Sequence, residues 1–194
     1  MGEPLSALLP RTIGPDHAGL RMSGEQFDAH EDWVEGHTYE LVDGRLTVGP
    51  HPEAGVRGAM DFLGWRLRTH IDAHPDGPAV ETLYMQYVAV PDGRLRADRA
   101  VWTRPGFEHP DRTVPALVID IVSRDWRDHD RRRRDFAAAG VRECWTFDRF
   151  ARTATVDRDG SAFSLGVADV VATPLIPGFE LPVADVLREA GRFG

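Results

Sequence analysis

The sequence predicts a mixed α/β domain with helices flanking one sheet, and three observations carry that prediction. The run Ala116 to Val122 is apolar except for Asp120, and reads as a strand buried on both faces. Asp43-Gly44, between Tyr39-Glu40-Leu41-Val42 and Arg45-Leu46-Thr47-Val48, is the strongest short hairpin signal a sequence offers. Val56, Met60, Leu63 and Leu67 recur at helical spacing, widened by Phe62 and Trp65, so Glu53 to about Ala73 forms one long helix.

The remaining elements follow in order. Residues 1–20 carry Pro4, Pro10, Gly14 and Pro15 without periodicity and read as an N-terminal arm, leaving 21–194 as a single domain. Ser23-Gly24-Glu25-Gln26 has capping-box spacing and opens a short helix through Phe27 to Trp33. Val80 to Val90 and Leu95 to Trp102, separated by Pro91-Asp92-Gly93-Arg94, read as a second hairpin that places Asp98 in its return strand. A helix from about Asp128 to Ala139 stops at Gly140, followed by a strand over Val141 to Phe147. Two strands flank Asp157-Arg158-Asp159-Gly160, and Val183 to Ala190 closes the chain as a helix.

Composition narrows the class. With 42% hydrophobic and 28% charged residues the chain has a globular profile, and 194 residues suit one core. No apolar stretch approaches the ~20 residues that span a bilayer, and the N-terminus lacks a signal-peptide pattern, so the expectation is a cytoplasmic protein with no membrane partner. A net charge of -8 excludes a surface that attracts nucleic acid everywhere; any phosphate binding is local. All 23 basic residues are arginine, which removes lysine from any active site. The one cysteine, Cys144, cannot form an internal disulfide and, beside Trp145 and Phe147, reads as a core thiol.

The chemistry gathers around Asp120. Burying an ionised carboxylate without a partner costs several kcal/mol, so a cation is expected beside it. A second strand-borne acid, Asp98, and an arginine-rich segment from Arg124 to Arg134 make the grouping that of a metal-dependent phosphodiesterase site. The bland alternative is a structural ion pair of Asp120 with Arg99 or Arg132. Asp128 with Arg132 and Asp130 with Arg134 have the i,i+4 spacing of ordinary surface pairs. His129 borders this helix and is a further candidate to approach the site. His70 and His74 have the spacing of a metal pair on a helix, but they stand at its end next to Pro75 with no third ligand in view.

Tyr39-Glu40-Leu41-Val42-Asp43-Gly44, Arg96-Ala97-Asp98, Leu117 to Ser123, Gly140 to Trp145 with Asp148, and Pro177 to Leu181 resemble, in order and spacing, the Uma-type restriction endonucleases of the PD-(D/E)XK nuclease superfamily, over about Met22 to Leu187. The resemblance implies a restriction-endonuclease-like core with flanking helices, often a homodimer, hydrolysing phosphodiester bonds of DNA with Mg2+ or Mn2+. It puts Asp98 on the family's Pro-Asp aspartate, Asp120 on the acid of its (Asp/Glu)-X-Lys element, and Glu40 on the acid of its Tyr-Glu-Leu-Ile-Asp-Gly segment. Asp98 and Asp120 would be the metal ligands, with a backbone carbonyl such as that of Ile121, and Glu40 an accessory acid. Counting back four from Phe136, the migrated lysine of the family falls on Arg132, which can clamp a phosphate but cannot lose a proton and so cannot be the base. The family's proline before the first aspartate is Ala97, and its usual glutamate is the shorter Asp120. These departures sustain a second reading, a catalytically inactive homodimer of the same fold acting as a binding or interaction module.

Overall fold

The computed structural model describes residues 9–123 and 128–192. The first hairpin pairs β1 (His37–Val42) with β2 (Arg45–Pro50), and its turn residues Asp43 and Gly44 both adopt positive φ, 51° and 65°, as a two-residue hairpin turn requires. The second hairpin joins β3 (Ala79–Val90) to β4 (Gly93–Thr103). Its loop is tighter than the sequence suggests, only Pro91-Asp92, because Gly93 and Arg94 are already paired with Val90 and Ala89. The sheet continues through β5 (Leu117–Ile121), β6 (Glu143–Asp148), β7 (Thr153–Arg158) and β8 (Ser161–Gly166). Of these eight strands only β5 and β6 run parallel.

Four helices cover the sheet: α1 (Gly24–Asp28), α2 (Ala54–Ala73), α3 (His129–Ala138) and α4 (Val183–Gly191). The expected helix to Trp33 ends instead at Asp28. Its capping box at Ser23 is present, but the chain then turns so that Trp33 stacks on Phe27 and Tyr39 at centroid distances of 5.1 and 4.6 Å. Aromatic packing there outweighs continuation of a short helix. A small sheet of β9 (Val170–Ala172) and β10 (Glu180–Pro182), too short to show a period, was not foreseen.

The alternation along β5 separates two cores. Leu117, Ile119 and Ile121 pack with Trp145 and Phe147 under α2 and α4, whereas Val118 packs with Cys144, Phe136 and Val141 on the α3 side. Cys144 is buried, as expected, and burial pushes its thiol pKa up, so it stays protonated. A third cluster joins Ile13, Met22, Phe27, Tyr39, Leu41 and Leu46. From residue 9 the N-terminal arm is therefore folded onto β2, with Gly19 N–H donating to Leu46 O (2.7 Å) and Leu46 N–H to Leu20 O (2.8 Å).

Helices α2 and α4 approach until Gly55 lies against the backbone of Ala190, where a Cβ would stand 2.1 Å from the Ala190 carbonyl oxygen. Backbone cannot move aside cheaply, so Gly55→Ala is expected to cost roughly 1–3 kcal/mol in urea unfolding. An unchanged midpoint would refute this contact.

β3 holds one full edge of β4. Arg94 pairs with Ala89 on that edge and with Leu41 of β1 on the other, and Arg99 pairs with Tyr84 and with Ile119 of β5 in the same way. β1 and β5 thus share one edge of β4, and between them lies a fork in the sheet at residues 95–98.

Candidate active site

In that fork the edge of β4 away from β3 meets no strand among the described residues, and side chains take the place of one. Arg96 N–H donates to Glu40 Oε1 (2.8 Å), and Asp98 N–H donates to Asp120 Oδ1 (3.3 Å). Asp98 Oδ2 in turn accepts from Ile121 N–H at 2.8 Å, so the two aspartates are cross-tied through the ends of β4 and β5. Glu40, Asp98 and Asp120 come from three strands and are each 1% exposed.

Arg132 closes the cluster from α3. Asp128 caps this helix, its side chain accepting from Arg131 N–H at 2.9 Å, and Arg132 follows one turn in, with its guanidinium 5.3 Å from the Phe136 ring centroid. Nε donates to Asp120 Oδ2 (2.8 Å), Nη1 to Glu40 Oε1 and Oε2 (2.8 and 2.9 Å), and Nη2 to Arg96 O (2.8 Å) and Asp120 Oδ1 (3.4 Å). These contacts engage all three nitrogens of the guanidinium. Burial opposes the charge, but Asp120 and Glu40 more than offset it, and the Arg132 pKa is raised.

The structure thus brings together Glu40, Asp98, Asp120 and Arg132. Arg99 is not the partner of Asp120; it runs under α2 and donates through Nη2 to Met60 O at 2.7 Å. Arg132 is buried, so the surface pair with Asp128 does not form. The surface pairs of α3 are instead Arg131 with Asp135 and Asp43, and Arg133 with Asp130. Residues 124–127 of the arginine-rich segment lie outside the described residues. His129 does approach, with Nδ1 3.8 Å from Asp120 Oδ2, and neither of its buried ring nitrogens has a hydrogen-bond partner. The backbone contribution of Arg96 had no sequence signal, because it depends on the fork and not on the side chain.

For a divalent ion, Asp98 and Asp120 supply hard oxygen donors from adjacent strands, the type that Mg2+ and Mn2+ take, and magnesium keeps several waters besides. The buried His129 ring nitrogens, without a hydrogen-bond partner among the described residues, mark a polar place beside Asp120. This donor set fits such an ion. Among the described residues no three His, Cys, Asp or Glu side chains already converge as a closed metal site. A cavity of about 210 Å³, lined by Glu40, Leu95, Arg131 and Arg132 among others, reaches the Glu40–Arg132 side of the cluster. A larger cavity, about 990 Å³, lies elsewhere, against Phe27, Trp33, Tyr39 and Tyr87.

His70 and His74 stack at 4.2 Å at the end of α2. Burial and the neighbouring His74 hold His70 below the ordinary histidine pKa, against a hydrogen bond that its ring donates to the Pro177 carbonyl. The folded state therefore binds this proton less readily than the unfolded chain. Stability is expected to be full above the ordinary value and to fall as pH drops through the lowered one, and His74→Gln should flatten that slope. A pH-independent midpoint between 5 and 7, roughly, would contradict it.

No helix among the described residues is long and apolar enough to cross a membrane. Comparison with solved structures finds a "putative nuclease belonging to DUF820" from Anabaena variabilis with a TM-score of 0.71 and 15% identity, covering 87% of this chain and 99% of that one. No curated protein matches the chain. Residues 25–184 match the model of the Uma2 family, described as "putative restriction endonuclease". With most of its length matched, and with a nuclease-fold neighbour, the chain belongs to the Uma2 restriction-endonuclease family.

Proposed function

We propose that the protein is a cytoplasmic endonuclease that hydrolyses phosphodiester bonds of DNA as a homodimer, using Mg2+ or Mn2+ held by Asp98 and Asp120. The observation that carries this reading is the convergence of Glu40 and Asp120 on the Arg132 guanidinium at the fork, with Asp98 cross-tied to Asp120 beside it. A divalent ion bound there supplies Lewis-acid chemistry and lowers the pKa of a bound water. The protein's own groups do the rest. Ile121 N–H and Asp98 N–H fix the rotamers of the two aspartates, and the surrounding Leu95, Val118 and Phe136 keep bulk water out. Glu40 holds Arg132 through Nη1, and that doubled contact is the one it can exchange for a phosphate oxygen, so the cation meets developing negative charge. Arg132 takes no proton. The test is cleavage of plasmid and single-stranded DNA with Mg2+ or Mn2+, and its loss in Asp120→Asn.

One observation favours the second reading, a catalytically silent binding module. All three guanidinium nitrogens of Arg132 already have acceptors, so the guanidinium can serve as the resident cation of the cluster. Calorimetry separates the two: absence of Mn2+ binding by a folded protein supports the silent module.

A further inference from the structure

His129 is the first residue of α3, and its side chain is only 14% exposed. It stands three residues before Arg132, so the helix face that aims the guanidinium into the fork also presents the imidazole to Asp120. Both ring nitrogens are buried without a hydrogen-bond partner. A buried polar atom left in that state costs roughly 1–3 kcal/mol, and a catalytic role or a bound ion is among the few reasons a protein keeps one. The neighbouring acids are engaged elsewhere. Asp128 accepts from Arg131 N–H as the helix cap, Asp130 pairs with Arg133, and Asp120 Oδ2 accepts from Arg132 Nε.

The separation of His129 Nδ1 from Asp120 Oδ2, 3.8 Å, is too long for a hydrogen bond but is one that two ligands of a single ion adopt. Ligands about 2.1 Å from a metal stand roughly 3.0 Å apart at right angles and roughly 4.2 Å apart when opposite, which brackets the observed distance.

We infer that His129 is a further ligand of the divalent ion, an imidazole nitrogen beside the carboxylates of Asp98 and Asp120, and that the site takes Mn2+ in preference to Mg2+. The inference rests on the metal-dependent reading above and decides between the two ions it names. Magnesium is a hard cation that takes oxygen ligands in near-ideal octahedral geometry, so an imidazole adds little to its binding. First-row transition ions accept nitrogen as well as oxygen, so the same imidazole favours them. The site is an open one. No three such side chains already converge among the described residues, which leaves positions for water and for a phosphate oxygen.

Calorimetry and pulsed electron paramagnetic resonance of the full chain test this. The wild type is expected to bind Mn2+ at least about 10-fold more tightly than Mg2+, and the bound Mn2+ to show hyperfine coupling to a coordinated nitrogen. His129→Gln should lower Mn2+ affinity about 10–100-fold, abolish the nitrogen coupling and leave Mg2+ affinity nearly unchanged. The coupling is read on the unsubstituted protein, so a failure of His129→Gln to fold leaves the outcome decided. A folded wild type that binds neither ion overturns the metal-dependent reading itself. Mn2+ bound without nitrogen coupling, coupling that persists in His129→Gln, or equal affinity for the two ions overturns only the assignment of His129.

Discussion

Asp120→Asn is expected to abolish metal-dependent DNA cleavage while leaving the fold in place. Asparagine keeps the shape of the side chain and an acceptor for Asp98 N–H, so the cross-tie between β4 and β5 survives. It removes the negative charge that a divalent ion needs. With its carbonyl kept toward Asp98 N–H, its amide faces Arg132 Nε, which now donates to Asp120 Oδ2 at 2.8 Å. Loss of an outer-shell partner typically costs 10–100-fold in metal affinity or activity, and removal of a direct carboxylate ligand should cost about 100-fold or more. Mn2+ calorimetry and plasmid cleavage on the same preparations are the measurements. Wild-type cleavage in Asp120→Asn would remove Asp120 from the site. Cleavage lost with Mn2+ binding unchanged would assign Asp120 to another role.

Much of this site was legible before the fold was known, for a reason that can be traced to single residues. Asp120 interrupts an apolar run, and desolvation alone demands a cation beside it. Arg132 follows from the resemblance to the Uma-type family, whose migrated lysine it matches in position, and it lies 2.8 Å away. The expectation for Asp120 uses the pattern of one chain segment, which sequence carries directly. What sequence does not carry is how strands share edges. That β1 and β5 flank the same edge of β4, and that Arg96 and Asp98 therefore turn their N–H groups toward Glu40 and Asp120, depends on contacts between residues 56 and 22 positions apart. The same limit explains the turns. Asp43-Gly44 was recognised because positive φ favours those residue types, whereas the helix predicted to Trp33 failed because its stop is set by Tyr39, an aromatic on another element. The surface pairs expected on α3 erred alike. Spacing puts Asp128 and Arg132 on one face, but only the sheet beneath decides which face is buried.

Arg132→Met is expected to destabilise the protein by about 3–5 kcal/mol, the largest stability effect of any single substitution considered, because it deletes the cation and leaves the acids buried around an apolar side chain. Dispersion against Phe136 is largely kept, so the loss measures charge and hydrogen bonding more than packing. Arg132→Lys separates the two parts. Lysine keeps the charge but offers three donors where the fork presents five contacts, among them Arg96 O, so an intermediate loss is expected, on the order of 1–3 kcal/mol. It also returns an amine that can give up a proton, and metal-dependent cleavage should persist in this variant. The triple variant Glu40→Gln, Asp120→Asn, Arg132→Met removes the two acids together with their cation and should be more stable than Arg132→Met alone, since most of the single-variant penalty comes from stranded charge. Urea unfolding across the set decides this. If the triple variant is less stable than Arg132→Met by the sum of the separate losses, the cluster is held by independent contacts, and the network linking Glu40, Arg132 and Asp120 into one unit is wrong.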